Sequence, residues 1–362
     1  EDRWPSGSAG GMGTKTEEYR ASFLEMREYT AQEWAEYPGT EKDVASFAIV
    51  FEEGDMRKVR PLKLKELPEK GETAVVFGII RAECSDNYNE FTYVDTMSRP
   101  AVEQYIRLTH ERYARECGAR LGERIPGIFT DEPHRGPLFS VFSGGKETAV
   151  PYTPDLFAEF KKRFGYDLKE RLPELFFRYT GEELSAASRD YIELCQELFL
   201  ENFAQPIQNW CHENKLLFTG HVLHEDSLTA QTVMQGSLMR FYEYMDYPGV
   251  DVLTEKNDSW WIVKQISSVA RQLDKKWVLS ELYGCTGWQF NFANHKAVGD
   301  WQALFGINLR CPHLSWYTMK GEAKRDYPAS IFFQSAWYPE YRNLEDYFSR
   351  INVLMADADP VC

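Results

Sequence analysis

The sequence predicts an α/β fold of the (β/α)8 TIM-barrel kind, truncated at its N-terminus and carrying a small β-rich insertion. Three observations predict it. From Phe91 onward, short apolar runs of strand length alternate with helix-length stretches, the pattern of a parallel sheet wrapped by helices. No Gly-x-Gly-x-x-Gly opens any of those helices, which counts against a dinucleotide-binding sheet. Two of the runs, Ile125-Pro-Gly-Ile-Phe-Thr-Asp-Glu132-Pro133 and Lys276-Trp-Val-Leu-Ser-Glu281-Leu-Tyr-Gly284, close on a carboxylate. In a barrel of parallel strands the strand mouth is where chemistry is built.

The elements follow in order. Residues 4–12 read as a loop, and Thr16 to about Glu36 as a helix. Residues 44–51 and 74–81 are β-rich and separated by charged, Pro-containing turns, so about 40–90 is read as the insertion. Phe91-Thr-Tyr-Val-Asp95 has the composition of a strand. A helix opens at Arg99-Pro100, with proline in its first turn, and runs to about Cys117. After the Glu132 strand comes a Gly- and Pro-rich excursion from His134 to Pro154. Helices are expected at 154–163, 181–195, 197–214, 229–245, 259–273, 293–304 and 343–356. Strands are expected at 216–223, 249–253, 276–281 and 307–316. Six strands counted from Phe91 leave an eight-stranded barrel two short. Glu1-Asp2 is therefore read as the tail of a second strand, with the first upstream. On that count Glu132 closes strand four and Glu281 strand seven. The expected organisation is one catalytic barrel over 1–362, incomplete at both ends, with the 40–90 insertion inside it.

The bulk numbers narrow the classes. The formal net charge is −15 with no basic stripe, which argues against nucleic acid as a partner. No apolar run approaches ~20 residues, so no membrane-spanning helix is expected. The seven cysteines are Cys84, Cys117, Cys195, Cys211, Cys285, Cys311 and Cys362; their number is odd and no Cys-x-x-Cys occurs, so neither a disulfide framework nor a zinc site is signalled. The chain starts at Glu1 and stops at Cys362, and both ends read as cuts through a longer protein, which makes further domains of that chain expected partners. Targeting is not legible in such a fragment.

Two carboxylates at strand mouths are the minimum equipment for breaking a glycosidic bond. Glu132 is the expected general acid, a role that requires a raised pKa; burial would raise it, and so would the like charges of Asp131 and Glu281. Pro133 disfavours a right-handed helical conformation at Glu132, which suits a strand terminus. Glu281 is the nucleophile if configuration is retained and the water-activating base if it is inverted. The plainer reading of each is a turn or an ion-paired strand end. His221 and His313 are read either as ligands of sugar hydroxyls or as core histidines. His221-Val-Leu-His224-Glu225 lacks the helical i, i+4 spacing of a zinc protease. Trp288, Trp316 and Tyr317 are the stacking candidates for a sugar ring, with core packing as the alternative; Trp337 follows them. Lys324-Arg325-Asp326 is read as a loop held by ion pairing.

Four stretches carry a resemblance: Arg3-Trp-Pro-Ser-Gly-Ser-Ala-Gly-Gly11, Gly127-Ile-Phe-Thr-Asp-Glu-Pro-His134, Gly299-Asp-Trp-Gln-Ala-Leu-Phe-Gly-Ile-Asn308 and Gly321-Glu-Ala-Lys-Arg-Asp-Tyr-Pro328. The chain resembles bacterial glycoside hydrolase barrels of the α-L-rhamnosidase type (family 106), and its strand-four and strand-seven acids resemble those of the clan A superfamily. The resemblance implies an O-glycosidase acting on an oligosaccharide or glycan, in the bacterial cytoplasm, the periplasm or outside the cell. It implies Glu132 and Glu281 as catalytic residues and places Asp131 at a substrate contact; beside it, the residues' own positions make His221, Asp251, Trp288, His313, Trp316 and Tyr317 the further substrate-binding candidates. Asp131 stands where clan A enzymes usually have an Asn on the sugar 2-hydroxyl. Some relatives of the rhamnosidase type use an active-site calcium ion, and Asp131, Glu225 and Asp251 would supply hard oxygen ligands for it. The competing classes are an inactive carbohydrate-binding barrel and a metal-dependent hydrolase; fold alone does not decide among them.

Overall fold

A computed structural model describes residues 9–138, 148–254, 259–321 and 327–358. Glu1-Asp2, most of the 3–11 stretch and Lys324-Arg325-Asp326 lie outside the described residues. Ten strands occur among those described: β1 Ser22–Tyr29, β2 Asp43–Glu52, β3 Asp55–Pro61, β4 Thr73–Arg81, β5 Gly127–Thr130, β6 Ala149–Tyr152, β7 Leu217–Gly220, β8 Tyr247–Asp251, β9 Leu279–Leu282 and β10 Leu309–Pro312. The chain divides into two compact units. One comprises Glu1–Gly118, Pro133–Ile207 and Gln231–Ser237, the other Ala119–Glu132, Gln208–Ala230 and Leu238–Cys362.

The first unit holds a five-stranded antiparallel sheet in the order β3-β2-β4-β1-β6. β2 and β3 are joined by the two-residue turn Glu53-Gly54, both at positive φ (53° and 91°), the turn geometry whose twist matches a hairpin. The helix expected over residues 16–36 is instead interrupted by the eight-residue strand β1. Its charged residues have good helix propensity, but Leu24 and Met26 alternate into the core and β1 is paired along both edges, by β4 and β6. Tertiary pairing overrides the local preference. Beyond a 3-10 turn at Glu17–Tyr19, helix survives at Ala31–Glu36, closed by a reciprocal Thr30–Glu33 capping box, and it buries Trp34 against Ala48, Leu62, Ala74 and Val76. The strands of the 40–90 stretch thus share their sheet with Ser22–Tyr29 and Ala149–Tyr152.

The second unit holds a five-stranded parallel sheet in the order β10-β9-β8-β7-β5, so consecutive strands are neighbours. Helices Trp260–Gln272 and Phe292–Leu304 connect β8 to β9 and β9 to β10, as the strand–helix alternation requires. This corrects the eight-stranded barrel. Among the described residues five strands are parallel and the other five form a separate antiparallel sheet. Phe91–Asp95, counted as a barrel strand, makes only isolated antiparallel bridges, Arg20 to Val94 and Ser85 to Phe91. The numbering of Glu132 and Glu281 as strands four and seven falls with the barrel, although two strands, β7 and β8, do separate the strands that carry them. The helix expected at 229–245 is broken into Leu228–Met234 and Leu238–Tyr242. No helix among the described residues is long and apolar enough to cross a membrane.

One contact in the parallel sheet admits only glycine. Gly220, the last residue of β7, has φ +136°, and a Cβ there would lie 2.0 Å from the Thr130 carbonyl oxygen. The close approach seats the next residue, His221, whose amide donates to the same carbonyl at 3.1 Å.

Candidate active site

Parallel strands in register point equivalent residues to the same face, and their carboxyl ends open on one edge of the sheet. Asp251 ends β8, Glu281 lies opposite it in β9, and Cys311 lies opposite Glu281 in β10. Asp131 and Glu132 follow β5 directly, His221 follows β7, and His313 follows β10. Glu132 turns with φ +48°, a left-handed conformation costly for a residue with a Cβ and still rarer before proline. Strain of this kind concentrates where a side chain has to be aimed.

The side chains converge on His221, which is 1% exposed. Its Nε2 lies 3.1 Å from Asp131 Oδ1 and 3.8 Å from Asp251 Oδ2, and its Nδ1 lies 3.5 Å from Glu281 Oε2. His313 Nε2 reaches the other oxygen of Glu281 at 3.8 Å. Ligand atoms of Glu132, His221 and Asp251 all fall within 4.8 Å of one another. Asp251, Glu132 and the buried Glu225 also line a cleft of about 340 Å³ with Val252, Leu253 and Ile262, a volume that suits a small ligand. A larger cavity of about 450 Å³ lies in the antiparallel unit around Phe176, Phe177 and Arg178, whose guanidinium is taken up by Asp55. It has no comparable convergence of acids and histidine.

The charges in this cluster are coupled. Burial would push His221 down, but the hydrogen-bonding Asp131 and the charges of Asp251, Glu225 and Glu281 push it up to about 10, so the ring is an imidazolium at neutral pH. Burial raises Glu132 to about 7; Asp131 and Asp251 add to the shift and His221 opposes it. Burial likewise raises Glu281 to about 8, with Asp251, Asp131 and Glu132 adding and His221 opposing. Asp251 is raised by burial too. One buried cation among several carboxylates leaves room for shared protons, so a neutral carboxyl and an ionised one coexist near pH 7.

The expected site residues thus separate into groups. Asp131, Glu132, His221, Asp251, Glu281 and His313 come together at the carboxyl edge of the parallel sheet. Trp288, 45% exposed, meets the buried Trp316 edge to face at 5.1 Å, so the two loops after β9 and β10 are packed together. Tyr317 is 80% exposed and lies on the surface. Glu225 accepts hydrogen bonds from Tyr242 Oη and from the Asp251 amide. Two residues escaped the sequence reading. Cys311 could have been found from its place one strand beyond Glu281. Tyr242 carries no local signal at all.

The residues offer a cation both favourable and unfavourable features. Oδ1 of Asp251 is buried without a hydrogen-bond partner, an atom that an ion would satisfy. Glu132 and Asp251 supply hard oxygens, while His221 adds a nitrogen, which belongs to transition-metal sites rather than calcium cages.

No family model and no curated protein matches the sequence. Among solved structures, the chain is similar to a rhamnosidase from Novosphingobium sp. PP1Y, with a TM-score of 0.59 and 19% sequence identity over 82% of this chain. The chain spans 29% of the length of that protein. At this identity the likeness is one of fold.

Proposed function

We propose that this chain carries the catalytic region of a glycoside hydrolase that cleaves O-glycosidic bonds of a glycan. The observation that supports it most is the meeting of Glu132 and Glu281 on one buried imidazole, with both carboxyls raised toward neutrality. In this reading Glu132, about half protonated near pH 7, is the general acid that protonates the leaving oxygen. Glu281 faces two histidines, and the imidazolium of His221 opposes the burial that raises it to about 8, so the reactive form, with Glu132 protonated and Glu281 ionised, is the minor one of the pair near pH 7. It acts as nucleophile in a retaining reaction or as the base that activates water in an inverting one. Asp131 and Asp251 accept hydrogen bonds from sugar hydroxyls, and Trp288 stacks on a ring face. The fold likeness to a rhamnosidase supports the glycosidase class, and that protein's greater length supports further domains in this one.

A second reading is favoured by the orphaned Asp251 oxygen: a cation-assisted inverting hydrolase of the α-L-rhamnosidase type, in which Glu132, His221 and Asp251 hold the ion. The ion would stabilise charge developing on the substrate. Glu132 would then be a ligand, and the acid would have to be another group.

The test is a screen of the full-length protein against aryl glycosides, with rhamnosides, galactosides, arabinosides and glucuronides first. Turnover that is lost in Glu281→Gln and, on glycosides with poor leaving groups, in Glu132→Gln is the expected result. A protein that binds sugars but hydrolyses none of them would be a carbohydrate-binding module, and the proposal would fall.

A further inference from the structure

β7 and β8 pair only at Thr219–Tyr247 and Gly220–Pro248. Beyond Gly220 the chain of β7 leaves the sheet, while β8 continues for three more residues to Asp251. On the other side, β9 still serves the strand: the Val252 amide donates to the Glu281 carbonyl at 3.1 Å. On the abandoned side, the part-buried Asp251 amide would lose its ladder acceptor.

Glu225 fills that place. It is 5% exposed, and its Oε2 accepts from the Asp251 amide at 2.8 Å. Its other oxygen accepts from the hydroxyl of Tyr242, itself 1% exposed, at 3.0 Å. The preceding residue, His224, has φ +56°, a left-handed turn in the segment that carries Glu225 to the sheet edge. A side-chain carboxylate thus occupies the ladder position of a strand that has ended, at the residue whose Oδ2 faces His221.

We propose that Glu225 is a positioning residue for Asp251: locked by Tyr242, it replaces the missing strand partner and so fixes the Asp251 side chain in the site. Its influence on turnover rests on the hydrolase reading above; the backbone pin itself does not. Glu225→Gln keeps a carbonyl oxygen for the Asp251 amide and an amide group that can donate to the Tyr242 hydroxyl. Glu225→Leu keeps the volume and removes both bonds. Tyr242→Phe frees one oxygen and leaves the other in place.

The experiment measures kcat and KM on the best aryl glycoside, together with deuterium exchange of the 247–252 segment. The expected result is a loss of about 10²-fold in kcat for Glu225→Leu, a misplacement of about 1 Å being enough for that, with KM raised as well because Asp251 also holds a sugar hydroxyl. Glu225→Gln should restore most of the rate, Tyr242→Phe should fall between, and exchange at 247–252 should quicken only where the rate falls. In an Asp251→Ala background, Glu225→Leu should add almost nothing, because both act through one side chain. A full Glu225→Leu loss in that background overturns the proposal, as does a Glu225→Leu protein with unaltered kcat. If the wild type hydrolyses no glycoside, the hydrolase reading fails; unchanged exchange in a folded Glu225→Leu protein then overturns the pin, and faster exchange upholds it.

Discussion

Nδ1 of His221 lies 3.5 Å from Oε2 of Glu281, while the other nitrogen of the same ring lies 3.1 Å from Oδ1 of Asp131. A single buried ring therefore links carboxylates from two non-adjacent strands, β5 and β9, across the carboxyl edge of the sheet. The ring is the cation against which the acids of the site are balanced.

Removing it should be costly. His221→Ala leaves buried carboxylates without their counter-charge, a loss of the order of 3–5 kcal/mol. The pH dependence has a definite sign. The folded state raises His221 from its ordinary 6.5 to about 10. Its stabilisation is therefore fully present below pH 6.5 and is lost as the pH rises toward 10. Glu132 and Glu281, raised to about 7 and about 8, add losses of the same sign at lower pH. Between pH 8 and 10 the histidine adds to the tails of Glu225 and Glu281, both raised to about 8, and to the onset of the buried Cys195, raised to about 11. Melting temperatures of the wild type should fall more steeply across that window than those of His221→Ala; parallel curves would mean that the ring is not charged in the fold.

Glu132→Gln should change both rate and pH profile. The wild type needs Glu132 protonated and Glu281 ionised, so its activity should follow a bell with its maximum between pH 7 and 8. Glutamine cannot lose a proton, so the falling alkaline limb should vanish. Turnover of glycosides with poor leaving groups should drop about 10²–10⁴-fold, and that of activated aryl glycosides far less. Equal losses on both substrate types would exclude Glu132 as the acid.

Chelation separates the two readings of the cluster. With His221 as the internal cation, protein dialysed against EDTA should keep its activity. Activity that disappears and returns with added calcium or a transition metal would move Glu132, His221 and Asp251 into a metal site. Following the anomer of the first-formed product by NMR then distinguishes inversion from retention, and with it the role of Glu281.

A prediction outside the site concerns His295. The ring is fully buried among Tyr283, Phe290 and Trp337, with Nδ1 2.8 Å from the Asn291 carbonyl and Nε2 without a hydrogen-bond partner. Burial pushes its pKa down to about 4. The unfolded chain binds this proton first, so the contribution is present above pH 6.5 and is lost as the pH falls from 6.5 toward 4. His295→Phe should lessen the acid loss of melting temperature over that range. An identical slope in wild type and variant would show that the ring is not held neutral.

What the sequence by itself determined is local. Apolar runs closed by Asp131-Glu132-Pro133 and by Ser280-Glu281 mark strands near their ends, because a short apolar run and the acid that closes it are written in consecutive residues. Helices near 259–273, 293–304 and 343–356 were legible for the same reason and are found at Trp260–Gln272, Phe292–Leu304 and Tyr341–Ala356. What only the tertiary structure decided is pairing. Ser22–Tyr29 became a strand because two neighbours bond its edges, and among the described residues the parallel strands number five because the remaining strands found antiparallel partners. The centring of the acids on His221, and the use of Glu225 as a strand surrogate at Asp251, depend on register and on where β7 ends. Hydrogen bonds between residues far apart in the chain set both, and no local pattern encodes them.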